Sequence, residues 1–301
     1  MGPEVAATAG RATYLEDGMT IRRIAFAVLV LLLAGCGQTL APAQSLIVRG
    51  DRLFISISIN GVETEALLDS AAEATFVDAA FISKLGLEPK GAETAKGTGG
   101  EQEVSFVEGV NIEALGVKLN DLTVATFDLA DLSRRVIGQP TNVILGRELF
   151  DATRLEIDIE GGGINAVSRH SDPEGVRLPL KARRGVETIP VSIEGASEID
   201  ADFDLGNGSE ILIGAGYAER TGLNAPERII GEKRGGGVGG EVARKLVRLG
   251  DVEIAGVHFT DVVAAIDETA AASDANVGVS LLRRFKMTID FAEGAVWLSE
   301  R

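Results

Sequence analysis

Cysteine is almost absent from this chain of 301 residues: Cys36 stands alone. A single Cys excludes an intrachain disulfide, and it leaves no catalytic thiol downstream of residue 36. Histidine is nearly as scarce, with only His170 and His258. Two imidazoles leave little room for a zinc site. There is no His-Glu-x-x-His and no Gly-x-Ser-x-Gly nucleophile elbow. Positive charge is short as well. Lys and Arg total 29 against 45 Asp and Glu, a formal net charge of −16. Phosphates would be repelled, which argues against nucleic acid as a partner and leaves solubility as the plain role of the charge. Aromatic residues make up 5% of the chain. What is plentiful is glycine, 37 residues, which suits a turn-rich β protein. The length admits one large domain or two of about 130 residues.

Two stretches share one local pattern: an Asp between a hydrophobic strand and a small-residue turn. The first is Ala66-Leu67-Leu68-Asp69-Ser70-Ala71-Ala72, and the second is Ala201-Asp202-Phe203-Asp204-Leu205-Gly206-Asn207. Their flanks match in the same order. Ser56-Ile57-Ser58-Ile59-Asn60-Gly61 aligns with Pro190-Val191-Ser192-Ile193-Glu194-Gly195 at an offset of 134, and the two Asp residues are offset by 135. Gly99-Gly100-Glu101 aligns with Gly239-Gly240-Glu241, and Leu115-Gly116-Val117 with Ala255-Gly256-Val257, both at 140. Ile144-Leu145-Gly146 aligns with Asn276-Val277-Gly278, and Ile157-Asp158-Ile159 with Ile289-Asp290-Phe291, both at 132. Two homologous halves, 46–168 and 176–301, follow from this, joined by a polar linker at 169–175 that contains Asp172-Pro173. Two carboxylates brought face to face can share one proton, so that one acts as base on a water and the other as acid on a carbonyl oxygen.

Ahead of both halves, Arg22-Arg23 precede an apolar run over 24–34, the layout of a signal peptide and too short to span a bilayer as a helix. The run ends in Leu33-Ala34-Gly35-Cys36, which resembles the bacterial lipoprotein signal. That resemblance implies a signal over 1–36, lipidation of Cys36, a tether over 37–45 and anchoring in the cell envelope facing the periplasm. Gly37 in place of Asp points to the outer membrane over the inner. The alternative is a secreted or soluble periplasmic protein, cleaved after Ala41-Pro42-Ala43.

Within each half the signals are those of strands. Residues 53–59 are β-branched with partial alternation and run into the hairpin signal Asn60-Gly61. Residues 63–69 return and deliver Asp69 to a strand end. Residues 79–85 read as a short helix stopped by Gly86, residues 104–112 and 122–127 as strands, residues 143–150 as a buried strand entering a helix, and residues 155–159 as a closing strand. The second half repeats this order.

These residues resemble the aspartic peptidases, particularly the bacterial retropepsin-like kind. Three pieces of each half carry the likeness. They are Leu67-Leu68-Asp69-Ser70-Ala71 and Asp202-Phe203-Asp204-Leu205-Gly206, then Ile144-Leu145-Gly146 with Arg147-Glu148-Leu149 and more loosely Val277-Gly278 with Leu281-Leu282, and a glycine-rich segment between. The resemblance implies an all-β fold of two pseudo-symmetric barrel-like lobes with a cleft between them. It implies an endopeptidase with Asp69 and Asp204 as the catalytic pair, acting on a peptide or protein substrate as a monomer, without metal or cofactor. It implies Ser70, Ala71, Leu205 and Gly206 as the turns that support the pair, and Gly99, Gly100, Gly237, Gly239 and Gly240 as flap residues. Two positions depart from the family. Ala71 stands where glycine is expected and adds a methyl to a crowded turn. Leu205 stands where a hydroxyl is expected and cannot make its half of a cross-lobe hydrogen-bond network. An envelope-anchored protein that binds a peptide in the inherited cleft, with weak or no catalysis, is the alternative these departures favour.

Gly235-Gly236-Gly237-Val238-Gly239-Gly240 satisfies Gly-x-Gly-x-x-Gly, but a dinucleotide site needs a strand before it and a helix after it. It is expected to form a flexible flap loop instead. Asp158 and Asp290 are expected to be structural turn residues. Arg147 is expected to pair with Glu148 or a carboxylate of the other lobe. Arg183, Arg184, Arg283, Arg284 and Lys245 are expected to be solvated.

Overall fold

The computed structural model describes residues 44–270 and 272–301. The signal, Cys36 and nearly all of the tether lie outside these. Among the described residues no helix is long and apolar enough to cross a membrane.

The fold is all-β, with two pseudo-symmetric lobes. In the first, an eight-stranded sheet takes the strands in the order 47–49, 52–59, 62–68, 143–145, 76–78, 117–127, 100–114, 90–97. In the second the order is 181–183, 186–193, 199–203, 275–277, 211–214, 257–267, 240–254, 229–237. These are the same topology with the same pairing. Each sheet also pairs its second strand with the long strand of its hairpin, so it curls into a barrel-like form. The short strand Val143–Leu145 runs parallel to Val62–Leu68, with Leu67 opposite Ile144. Its counterpart Ala275–Val277 runs parallel to Ile199–Phe203, with Asp202 opposite Asn276.

Local sequence sets these elements. In Arg52–Ile59 the isoleucines turn inward while Ser56 is exposed, the period of a half-buried strand. The hairpin that follows needs left-handed backbone at both turn residues, and Asn60 (φ 46) and Gly61 (φ 80) supply it. Glu194 and Gly195 repeat that turn in the second lobe. Asp78 caps the helix Ala79–Lys84 by accepting from the Ala80 and Phe81 N–H groups.

A third sheet joins the lobes. Arg154–Asp158 of the first half lies antiparallel to Phe285–Asp290 of the second, flanked by Gly163–Val167 and Gln44–Ser45 on one side and by Ala295–Glu300 and Val176–Pro179 on the other. Beside it Asp290, wholly buried, takes hydrogen bonds from Arg154 and Arg169. The main hydrophobic core runs through both lobes and includes Leu68, Phe150, Phe203 and Phe285. A smaller apolar cluster, with Phe54, Leu67, Val104, Phe127 and Ile144, occupies the other face of the first-lobe sheet.

Candidate functional site

Asp69 and Asp204 sit at the ends of equivalent strands, each fixed by a backbone bond to the parallel neighbour: Asp69 N–H to Leu145 O at 3.0 Å and Asp204 N–H to Val277 O at 2.9 Å. The two turns meet at the lobe boundary. The Asp69 carboxyl lies so close over Gly206 that a Cβ there would overlap it. Only glycine fits, because the second turn passes directly beneath the first carboxylate. Ser70 bonds across the boundary twice, its hydroxyl donating to Phe203 O at 2.7 Å and accepting from Leu205 N–H at 2.9 Å. The Leu205 side chain points into the main core and is fully buried, so the reciprocal pair of bonds from the second lobe does not form.

The carboxylates are held differently. Asp69 accepts the Ala71 N–H at 2.9 Å, so Ala at this position keeps that donor. Asp204 accepts the Asn207 N–H at 2.9 Å and, in addition, the Asn276 side-chain amide at 2.7 Å. Asn207 in turn donates to Asn276 Oδ1 at 2.9 Å. Burial pushes Asp69 up to about 7, helped by the charge of Asp204 and opposed by the Ala71 N–H and Arg52. Burial also raises Asp204, against the Asn276 amide, Arg52 and the backbone donors. Two raised, interacting carboxyls titrate as a pair and keep one shared proton to near-neutral pH.

A buried cation lies beside this pair. Arg52 is 7% exposed; its guanidinium donates to Gly206 O across the lobe boundary and to Val136 O at 3.3 Å. Its charge acts on both carboxylates. It ties the second turn to the first lobe where Leu205 has no hydroxyl to do so.

Each lobe carries one long hairpin. Lys90–Gly97 and Gly100–Ala114 form one, and Ile229–Gly237 and Gly240–Ile254 the other. Their tips meet: Gly99 N–H donates to Val238 O at 3.0 Å. A Cβ on Gly99 or Gly239 would collide with the backbone of the opposite tip, so the glycines permit this approach. Two arginines latch the tips. Arg135 donates to Gly237 O at 3.2 Å, and Arg244 donates to Thr98 O at 2.6 Å. Arg135 Nη1 and Arg244 Nε are buried with no hydrogen-bond partner.

The expected site residues fall in two groups: Asp69, Asp204, Ser70, Ala71, Leu205 and Gly206 at the lobe boundary, and Gly99, Gly100, Gly237, Gly239 and Gly240 at the meeting hairpin tips. The tips are regular turns rather than loose loops, with Gly97 paired to Gly100 and Gly237 to Gly240. A strand follows Gly240, not a helix, so the glycine run is no dinucleotide motif. Asp158 and Asp290 each cap a turn, through the Gly161 and Glu293 N–H groups. Arg147 bonds Asp151 at 2.9 Å and reaches Glu187 of the second lobe at 3.7 Å. Glu148 instead accepts from Thr75, N–H and hydroxyl both. Arg283 corrects the expectation of a solvated side chain: it bridges Asp51 and Glu160 of the first half. Arg52, Asn276 and Arg244 were not legible from motifs. Their signal lies in the repeat, because the equivalent positions in the other half are Val186, Ile144 and Val104. A polar residue where its partner half is apolar marks each of them. Cys36 lies outside the described residues. No group of metal-ligating side chains occurs among those described.

No curated protein matches the chain. A retropepsin-like aspartic protease from Rickettsia conorii is similar in structure at 22% identity and a TM-score of 0.33, covering 41% of this chain and 88% of that one. Residues 55–149, which hold Asp69, the first hairpin and Gly146-Arg147-Glu148-Leu149, match the aspartyl protease family, and the first lobe is therefore similar to an aspartyl protease.

Proposed function

We propose that this protein is an aspartic endopeptidase that cleaves peptide bonds with water activated between Asp69 and Asp204. What supports this reading is the approach of the two turns at the lobe boundary, with two buried, interacting carboxyls each raised by burial. A water held between them loses a proton to the ionised carboxylate as its oxygen attacks the peptide carbonyl carbon. The protonated carboxyl donates to the carbonyl oxygen, giving a gem-diol. Collapse restores the carbonyl, breaks the C–N bond and passes a proton to the leaving nitrogen. The Asn276 amide favours charge on Asp204, which leaves the shared proton mainly on Asp69 and makes Asp69 the acid in the first step. Activity needs one proton on the pair, so it falls as pH rises past about 7, and the optimum is mildly acidic. Glycine-rich tips suit an extended substrate that enters when the hairpins part.

The buried Leu205 favours a second reading, a protein that binds peptide without cutting it. A peptide-library digest with wild type, Asp69→Asn and Asp204→Asn separates the two. Cleavage lost in both variants supports the peptidase; binding without cleavage by the wild type supports the second reading. The lipoprotein-like Leu33-Ala34-Gly35-Cys36 adds an envelope anchor to either.

A further inference from the structure

Behind the pseudo-symmetry of the two lobes lies a sharp chemical difference. In the first lobe a sheet face away from the main core carries the smaller apolar cluster, and Leu67 on it stands two residues before Asp69, on the same side of the chain, as Asp202 stands to Asp204. The pairing register makes positions on the two faces equivalent. Phe54, Leu67 and Ile144 are neighbours in the first lobe, and Thr188, Asp202 and Asn276 occupy the same places in the second. Further along, Val104 and Phe127 of the first lobe correspond to Arg244 and Asp267 of the second. All five first-lobe residues belong to one apolar cluster, against which Val238 of the opposite hairpin tip packs. The second-lobe face holds two carboxylates and one guanidinium. Arg244 lies 3.5 Å from Asp267, and both are buried.

Asp202 makes no direct ion pair, although the Ser273 hydroxyl that bonds it also accepts from Arg184 at 3.1 Å and the charges of Arg184 and Arg183 act on it. It is only half-buried, and among the described residues its carboxylate takes one hydrogen bond, from the Ser273 hydroxyl at 2.8 Å, and forms no ion pair. Its first-lobe equivalent, Leu67, is 3% exposed. The sequence explains the difference in cover. Fifteen residues lie between Phe127 and Val143 and include a helical segment whose Leu129, Leu132 and Ile137 close over the apolar face; only seven lie between Asp267 and Ala275. Among the described residues the polar face has no such helical lid.

We infer that the second-lobe face is a specificity pocket for a basic side chain, with Asp202 as its counter-ion. This rests on the peptidase reading for a cleaved bond beside the pocket, and only on the lobe faces for the choice of side chain. The chain's net charge of −16 draws basic peptides toward the cleft. A carboxylate with no direct ion pair rejects an apolar side chain, because covering it with apolar surface desolvates its charge.

The test uses four peptides identical except at the central pair: Phe-Lys, Lys-Phe, Phe-Leu and Leu-Phe. Cleavage by the wild type and binding to the Asp69→Asn protein are both measured. One Lys-containing peptide is expected to exceed its Leu counterpart by about tenfold or more in both readouts. Asp202→Leu, which installs the first-lobe residue, is expected to reverse that preference, and Asp202→Asn, which keeps the shape and the Ser273 bond, to abolish it. Equal cleavage of Lys and Leu peptides, or a Lys preference that survives in Asp202→Asn, overturns the pocket and leaves the peptidase reading intact. A tenfold binding preference without cleavage by the wild type keeps the pocket and removes the peptidase. Neither binding nor cleavage of any peptide overturns both.

Discussion

Replacing Asp69 by Asn should make the protein more stable at alkaline pH and change little at acid pH. Burial and the neighbouring Asp204 raise Asp69 from 3.8 to about 7. Its charged form is therefore disfavoured by folding. A carboxyl raised in the folded state contributes stability that is fully present below its unfolded value and lost as pH climbs through its folded value. The window runs from about 4 to about 7. A tenfold change in proton affinity corresponds to about 1.4 kcal/mol, so wild type should lose about 4 kcal/mol across the whole window relative to a variant that cannot ionise there. Between pH 4.5 and 8 the loss is about 3 kcal/mol. At the acid end of the window Asp69 is neutral and the substitution removes no charge; at the alkaline end the attraction of Arg52 for the carboxylate is already contained in the raised value. The quantity to measure is thus the change in the wild-type-to-variant difference, by urea unfolding at pH 4.5, 6 and 8. A constant offset across these three values would refute the burial of a raised carboxyl at this position.

Four other outcomes follow from the same geometry. Arg52→Met removes the cation that favours the ionised pair, so the acid limb of the cleavage profile should move to higher pH; a limb that stays put would show that Arg52 only packs. Gly206→Ala should abolish cleavage even if the protein folds, since its methyl would overlap the Asp69 carboxyl; activity within twofold of wild type would count against the close approach. Arg154→Met strands the buried Asp290 and should cost about 3–5 kcal/mol in urea unfolding, whereas a cost under 1 kcal/mol would mean that Arg169 suffices. Cys36→Ser should move the protein from the detergent phase to the aqueous phase on Triton X-114 partition, and an unchanged partition would contradict lipidation.

The two halves and their paired carboxyls were legible because the repeat is written in local signals. Asn60-Gly61 and its counterpart Glu194-Gly195 set a hairpin at the same place, and the strand behind each delivers an Asp. The glycine-rich tips were legible for the same reason, although their regular pairing was not. What escaped depends on contacts far apart in the chain. Asn276 reaches Asp204 only because strand 275–277 inserts parallel to strand 199–203. Arg52 follows the turn Gly50-Asp51 and looks like an exposed strand start; contacts distant in the chain, to Gly206 of the second lobe and Val136 of the first-lobe insert, hold it buried. The helical insert around 130–137 has no equivalent among the described residues of the other half, so the repeat was no guide to it. The sheet joining Arg154–Asp158 to Phe285–Asp290 pairs segments of different halves, which no local pattern announces. The halves themselves differ most tellingly position by position. Leu67 against Asp202, Val104 against Arg244 and Ile144 against Asn276 mark where a common fold has been given two chemistries.

Whether Asp69 and Asp204 act together as one catalytic pair is read most directly from the initial rate of peptide cleavage near pH 5.5. Wild type, Asp69→Asn and Asp204→Asn are compared, each first shown to be folded. Each single variant should lose at least about a thousandfold, since neither carboxyl can serve as both acid and base. Cleavage by either single variant at the wild-type rate would contradict a shared dyad.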